Sequence, residues 1–196
     1  VGIRRAIKAK AKYVLLLNND TVIAPDAIEK LVEAGKHSGE IGALAPKMLL
    51  YDHPTLINSL GLECSVIASS WDRGFGRLDG PQWNNERPVA GVCGGAAFLR
   101  VKAIEEVGLL PEDFDMYLDD LDLCLRIWNA GYEVVTCPSA VVRHKYSATM
   151  GEKTQVRRKY YLTSRNRFYV ILRIYPLIQL PKVLVACLVG ELRAIG

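Results

Sequence analysis

Three short polar clusters in this chain of 196 residues are of the right types to hold a cation and move a proton: Asn18-Asn19-Asp20, Asp119-Asp120 and His144. Each stands at the end of an apolar segment or the start of a helix. The first follows the apolar run 13–17 and is itself followed by Thr21. In an open α/β sheet, ligands bind just beyond the carboxyl ends of the strands, so a carboxylate delivered there is a ready ligand for a hard cation. A divalent ion taken by Asp20 and His144 would keep positions for phosphate oxygens, as Mg²⁺ and Mn²⁺ sites commonly do. A second carboxylate nearby but off the metal could serve as general base. Singly, each group also has a structural reading. Asp20 suits a turn or the cap of a helix opening at Pro25, and His144 suits a hydrogen-bonded strand end. Asp119 and Asp122 suit a capped helix start, with Asp122 three residues after Asp119 as a carboxylate variant of the capping box. Asp120 has no such reading, which makes it the more informative acid.

The elements that must position these groups alternate. Residues 3–11 read as a short basic helix leading into a strand at 13–17. Pro25 opens a second helix with apolar spacing at Ile28, Leu31 and Val32, ended between Gly35 and Gly39. Residues 41–50 read as a strand, and 56–86, without periodicity, as short hairpins and loops. The glycine-rich turn at Gly91, Gly94 and Gly95 leads into small and apolar residues up to Arg100. A short helix at 101–107 stops at Gly108, and a longer one runs over 118–129 with Gly131 just past its end. Residues 133–136 and 140–143 read as two strands, the second closed by His144. Strands alternating with helices predict an α/β sheet.

Composition narrows the class. Half of the residues are hydrophobic and 23% charged, which excludes a disordered chain. The net charge of +4 is unevenly spread: eight acids and no base over 103–125, then seven bases and one acid over 152–173. That segregation predicts a cation site in one place and an anion-binding surface in another, although helix starts and solvated helix faces alone produce part of it. Five cysteines without a CxxC pair fit buried thiols in a reducing compartment better than a disulfide framework or a zinc cluster. No apolar stretch follows Arg4-Arg5, so no signal peptide is expected, and position 1 is Val, so the chain is expected to begin inside a longer one. The tail 168–192 is apolar but broken by Arg173, Pro176, Pro181 and Lys182, short of the ~20 apolar residues that span a bilayer. An interfacial amphipathic segment and a core or dimer helix both fit it.

The order of these pieces resembles family 2 glycosyltransferases, within them the bacterial rhamnosyltransferase-like group. The matching segments are Val14-Leu15-Leu16-Leu17-Asn18-Asn19-Asp20-Thr21, Gly94-Gly95-Ala96-Ala97-Phe98-Leu99-Arg100, the stretch 109–126 that contains Asp119-Asp120, Gly131-Tyr132, His144, and Tyr160-Tyr161 to Arg165-Asn166-Arg167. The resemblance covers about residues 1–175. The resemblance implies a GT-A fold: a Rossmann-like, mostly parallel sheet with helices on both faces, its first strands missing upstream of Val1. It implies transfer of a sugar, with inversion, from a nucleoside-diphosphate sugar to a hydroxyl of a glycan or lipid-linked acceptor, in bacterial surface polysaccharide or cell-wall synthesis. Asn18-Asn19-Asp20 stands where the family carries its DxD-type motif, Asn18 replacing the first acid. Asp20 and His144 are then the ligands of Mn²⁺ or Mg²⁺, and Asn18, Asn19, Gly94 and Gly95 lie against donor or acceptor. Asp119 and Asp120 match the family's acidic pair, with Asp120 the general base. Arg126, four residues after Asp122, reads as its ion-pair partner.

The resemblance divides the chain into a partial GT-A domain over 1–150 and a basic helix with an apolar segment over 151–196. The cytoplasm, at the membrane's cytoplasmic face, is the expected location, with peripheral membrane contact through the tail. The alternative is a membrane-associated binding domain without catalysis. Under the transferase reading too, without the first strands and the loop that holds the nucleobase, the chain is expected to be inactive alone. A haloacid-dehalogenase-type phosphatase fails because Asn18 stands at its nucleophile position and cannot form an aspartyl-phosphate. An EF-hand starting at Asp113 lacks the glycine at its sixth position. Nucleic acid is not expected as a partner, since the acidic cluster opposes it and no recognised motif is present.

Overall fold

The computed structural model describes residues 2–145 and 153–195. In chain order the elements are α1 (Gly2–Lys8), β1 (Tyr13–Leu17), β2 (Thr21–Ile23), α2 (Ala27–His37), β3 (Ile41–Leu50), β4 (Ile57–Ser59), β5 (Leu62–Cys64), β6 (Ser70–Asp72), β7 (Ala96–Arg100), α3 (Val101–Val107), α4 (Asp119–Asn129), β8 (Glu133–His144), α5 (Lys153–Ile174) and α6 (Leu180–Ile195). Successive strand residues point to opposite faces, and that alternation sorts the core. On one face Leu15, Leu44, Phe98 and Val135 meet Ala27, Leu31 and Ala34 of α2. On the other, Val14, Leu16, Ala43, Leu99 and Val134 meet Ile3 of α1, Ile104 of α3, and Leu123 and Ile127 of α4. Helices therefore cover both faces, as expected.

The main sheet has the order β1-β7-β3-β8-β2, with β4 added beside β3; β5 and β6 form a separate hairpin. The expected α/β architecture stands, but the sheet is mixed rather than mostly parallel. Among the described strands only β3 and β8 pair in parallel; β1–β7, β3–β7, β3–β4 and β2–β8 are antiparallel. The cause is β7. It leaves the glycine-rich turn opposite the end of β1 (Leu17 against Ala96), slots between β1 and β3, and runs back to Arg100 beside Tyr13. Because β7 opposes both neighbours and β8 parallels β3, the strands β1, β3 and β8 still share one direction. Their carboxyl ends and the amino end of β7 thus meet at one edge.

The two strands expected at 133–136 and 140–143 are one continuous β8 with an interruption. Its register against β3 slips between the pairs Pro46–Cys137 and Lys47–Val141. Pro46 and Pro138 each lack the N–H that a ladder needs there. The aperiodic stretch 56–86 is short hairpins and loops, and a buried cation ties it down: Lys47 Nζ on β3 reaches Asp79 Oδ1 at 2.7 Å and Asn84 Oδ1 at 2.6 Å. Arg100 donates to the carbonyls of Gly35 and Ser38, where α2 ends, a favourable place for a cation.

Helix α4 starts differently from the expected capping box. Its N-cap is Leu118, in the left-handed region at φ 63°, with no side-chain cap; Asp119 is the first helical residue. Asp122 is fully buried and pairs with Arg126 at 2.8 Å, and Arg173 approaches it at 3.9 Å. Arg126 also donates to the Val107, Gly108 and Leu109 carbonyls, so the expected ion pair also fastens the loop after α3.

One side of α5 and α6 is core: Val170, Ile171, Val183 and Cys187 are buried with Phe114 and Ala68. The other side leaves Leu172, Val185 and Leu188 exposed, and Leu177 and Ile178 are exposed in the turn between the two helices. No helix among the described residues is long and apolar enough to cross a membrane. The boundary expected between 150 and 151 and the Lys153 side chain lie outside the described residues. All five cysteines are free, with Cys124, Cys137 and Cys187 buried.

Candidate active site

Asp20 and His144 converge. Antiparallel pairing of β2 with β8 sets Thr21 opposite His144, and the Asp20 carboxylate comes to 3.2 Å from His144 Nε2. The turn that delivers Asp20 is pinned from both sides. Asn18 N–H donates to the Gly95 carbonyl at 3.0 Å, and the Thr21 hydroxyl donates to the Asn18 carbonyl at 2.7 Å. On the far side of the ring, His144 Nδ1 lies 2.8 Å from Oδ1 of the buried Asn58, on β4. An amide oxygen only accepts, so Nδ1 is the donor in this contact, and a neutral ring held this way has its Nε2 lone pair on the side of Asp20. An imidazole lone pair and a carboxylate oxygen facing each other are donors to a cation, and the Asn58 contact is the outer-shell support such a histidine ligand normally has. The pair fits a divalent metal. Among the described residues no three His, Cys, Asp or Glu side chains gather into a cage. Two protein ligands, with the rest left to phosphate oxygens and water, is the pattern of Mg²⁺-type sites.

The glycine pair joins this end to the acids. A Cβ on Gly95 would sit 2.9 Å from Met48 Cε and 3.5 Å from both Asn18 Nδ2 and His144 Cε1. A Cβ on Gly94 would sit 3.3 Å from Asp120 Oδ2. Gly94 N–H donates to Asp120 Oδ2 at 2.8 Å, and Leu121 N–H to Oδ1 at 2.8 Å. Asp120, which had no structural reading in the sequence, is thus held in place by two backbone donors. Asn18 and Asn19 are exposed on the turn before Asp20. Desolvation pushes the Asp120 carboxyl up to about 7, helped by the charges of Asp119 and Asp72 and opposed by the two N–H donors. Asp119 is raised as well, mainly by desolvation. A carboxyl poised near neutrality suits proton transfer, and such shifts concentrate at functional sites.

Two further groups belong here that the sequence did not single out. Asn58 is one. The other is Asp72, at the end of β6, whose carboxyl is raised by desolvation and lowered by hydrogen bonding from Ser59 and Cys93 and by the charges of Lys159 and His144. Its Oδ1 is buried without a hydrogen-bond partner. Both lie in the aperiodic stretch 56–86, where no spacing marks them.

The loop before α4 is strained and clamped. Asp115, Tyr117 and Leu118 all have φ between 63° and 71°, a region costly for side-chain-bearing residues. The fully buried Asn166 of α5 donates through Nδ2 to the carbonyls of Phe114, Met116 and Tyr117 at 2.8–2.9 Å. Arg165 adds donations to Asp113 and Phe114. The Arg165-Asn166 dipeptide therefore sets the loop that presents Asp119 and Asp120.

Comparison with known proteins agrees with this geometry. The profile of glycosyl transferase family group 2 matches residues 13–193. An N-acetylglucosaminyl-diphospho-decaprenol L-rhamnosyltransferase of Mycobacterium tuberculosis, found in strains CDC 1551 / Oshkosh and ATCC 25618 / H37Rv, is 30% identical over 151 residues, 71% of this chain and 48% of the relative. The chain thus spans about half the length of the curated relatives it matches. Among solved structures it is similar to GalNAc-T7 with UDP, GalNAc and Mn²⁺ (TM-score 0.61, 15% identity, 86% of this chain and 34% of that one). It is also similar to the mannosyltransferase PcManGT of Pyrobaculum calidifontis in complex with GDP-Man and Mn²⁺ (TM-score 0.54, 16% identity, 94% and 47%). These likenesses establish the GT-A fold. With the profile running from β1 into α6, across the Asp20–His144 pair, the glycine turn and Asp120, the chain belongs to glycosyl transferase family group 2.

Proposed function

We propose that this chain carries the catalytic centre of an inverting glycosyltransferase that moves a sugar from a nucleoside-diphosphate donor to an acceptor hydroxyl. The observation that carries the reading is the Gly94-Gly95 junction, with Asp120 against one glycine and Asn18 and His144 against the next. A base and a cation site one residue apart along the backbone are what displacement at a sugar–phosphate bond needs.

Asp20 and His144 would hold Mn²⁺ or Mg²⁺, and such an ion, when bound, neutralises the diphosphate leaving group. Asn58 keeps the His144 ring oriented. Gly94 and Gly95, without side chains, let a substrate approach the backbone, and Asn18 and Asn19 line the donor side. Asp120 takes the proton of the acceptor hydroxyl while the hydroxyl oxygen bonds to the anomeric carbon. The bond from that carbon to the phosphate oxygen breaks on the opposite face, and its electron pair leaves with the nucleoside diphosphate. Asp119 raises the proton affinity of Asp120 by its charge.

By analogy with the mycobacterial relative, whose name gives a lipid-linked acceptor, the acceptor here is a lipid-linked saccharide of cell-wall or surface-polysaccharide synthesis and the sugar is a rhamnose-like hexose. The exposed apolar residues of α5 and α6, with Arg157, Arg158 and Lys182 nearby in sequence, suit peripheral contact with the cytoplasmic face of a membrane. The test is transfer by the full-length protein from a panel of nucleoside-diphosphate sugars, with Mn²⁺ or with EDTA, and the anomeric configuration of the product. Metal-dependent transfer with inversion is expected; a retained configuration, or full activity in EDTA, would refute the mechanism.

A further inference from the structure

A groove of about 410 Å³ lies between the β5–β6 hairpin, the segment 87–90 and the second half of α4. We infer that it binds an uncharged saccharide, at a site separate from the catalytic cleft. The volume is that of an ordinary small-ligand site. The inference does not depend on the transferase reading, because none of Asp20, Gly94, Gly95, Asp119, Asp120 or His144 lines the groove. The strand register sets the two sites apart. Glu63 pairs with Trp71, and Leu62 with Asp72. Successive strand residues point to opposite faces, so Asp72 turns toward the cleft while Glu63 and Trp71 share the face that lines the groove. On α4, Trp128 lies eight residues beyond Asp120, ~12 Å along the helix. A ligand seated beside Trp128 is therefore out of reach of the base.

Two indoles are set in place before any ligand arrives. Trp71 Nε1 donates to Glu63 Oε2 at 3.1 Å, and Trp128 Nε1 donates to the Val89 carbonyl at 3.0 Å. Trp71 is nonetheless 50% exposed. A large aromatic tied by its N–H, with its ring still in water, offers a flat apolar face at little cost in rotamer freedom. The C–H face of a pyranose is its complement. The charged groups suit the hydroxyls around that face. Glu63 also meets Arg73 Nε at 3.5 Å through Oε1, and a carboxylate has about four lone-pair sites, so both oxygens can still accept from a ligand. Arg87 has an exposed side chain on an anchored backbone: its N–H donates to Thr136 Oγ1 at 3.0 Å, and its carbonyl accepts from the Thr136 N–H at 2.9 Å. Its guanidinium is a rigid fork of donors. Neighbouring hydroxyls of a sugar both donate and accept, so a carboxylate and a guanidinium can bond them together. Charge decides against other ligands. Glu63 and Arg87 are the charged lining residues and balance each other. An anion would meet the carboxylate, and a cation the guanidinium. A wholly apolar partner would strip water from both without replacing the lost hydrogen bonds.

Binding by the full-length protein tests the assignment. An array of immobilised, uncharged di- to tetrasaccharides of glucose, galactose, mannose, rhamnose and N-acetylglucosamine is probed without nucleotide or metal. The best-bound sugar is then titrated calorimetrically and by its effect on indole fluorescence. Saturable binding with a change in fluorescence is expected. Trp71→Ala should weaken it about tenfold or more, a shift of about 1.4 kcal/mol. Arg87→Gln changes an exposed side chain on another segment and should weaken it about threefold or more, so the test stands even where Trp71→Ala does not fold. Saturating UDP or GDP with Mn²⁺ should leave the affinity within about twofold, as expected of two uncoupled sites. No saturable binding to any sugar of the array, or equal affinity in the parent and either folded variant, would overturn the assignment. Displacement of the sugar by the nucleotide would put it in the cleft and overturn the separate site.

Discussion

Asp120→Asn should abolish transfer and, in the same molecule, stabilise the fold at alkaline pH. The native carboxyl is pushed up to about 7, first by desolvation and then by the charge of Asp119, from an ordinary value of 3.8 that the unfolded chain regains. Between those two values the native state keeps a proton that the unfolded state has lost. The stability contributed by this group is therefore fully present below 3.8, falls as pH rises through the window, and is flat above about 7. The whole gap corresponds to about 4 kcal/mol, an upper figure because Asp120 keeps partial contact with solvent. Asparagine is neutral throughout and avoids that loss. It also gives something up: its single oxygen can accept from only one of the Gly94 and Leu121 N–H groups, and its NH₂ then faces the other, at a cost of ~1–3 kcal/mol. The net expectation is a variant about 1–3 kcal/mol more stable than the parent at pH 8 and less stable at pH 4. Urea unfolding of both proteins in EDTA across that range reads the difference directly. In the same preparations turnover should drop by ~10²–10⁴-fold. The parent rate should climb with pH to about 7 and then level, because only the ionised carboxylate accepts the proton. A stability difference that stayed constant with pH would refute the desolvation argument. Normal turnover in Asp120→Asn with none in Asp119→Asn would make Asp119 the base.

Asn58→Ala removes the acceptor that fixes the His144 ring, so metal-dependent donor affinity should fall about 10–100-fold, measured by titrating Mn²⁺ against bound nucleotide; unchanged affinity would show that the ring is held by other contacts. Asn166→Ala strands the carbonyls of Phe114, Met116 and Tyr117 and frees a strained loop, and should cost about 2–5 kcal/mol by chemical unfolding, with kcat reduced more than donor affinity; a loss below ~1 kcal/mol would mean the loop holds itself. Gly94→Ala sets a methyl 3.3 Å from Asp120 Oδ2 and should lower kcat while leaving donor affinity near normal, whereas an equal loss in both would place Gly94 on the donor side. Replacing the exposed Leu177 and Ile178 by Ser should weaken sedimentation with vesicles rich in anionic lipid, and high salt should weaken it further, at about 1 kcal/mol per basic side chain near the surface; binding indifferent to both would count against a membrane-facing tail.

The sequence alone marked candidate groups and the segments that carry them. The apolar run of β1 ending in Asn18-Asn19-Asp20, the helices α2, α3 and α4 and the Asp122–Arg126 pair were all legible, because periodicity, glycine stops and spacing along one helix are local properties. Three features were not local and were read differently or missed. The antiparallel β7 slots between β1 and β3, the N-cap of α4 is Leu118, without a side-chain cap, rather than Asp119, and β8 runs on through Pro138. Asn58 and Asp72 were missed because the stretch around them has no period to read; they matter only through His144 and Asp120, which are far away in the chain. The tail shows the same division. Its mixed composition fitted both a membrane-facing and a core helix, and the fold gave each face a separate environment, burying Val170, Ile171 and Val183 while leaving Leu172, Val185 and Leu188 in solvent. Side-chain chemistry belongs to each residue, whereas the 3.2 Å between Asp20 and His144 exists only because β2 pairs with the last residues of β8, and such pairing is decided by long-range burial that no short window of sequence contains.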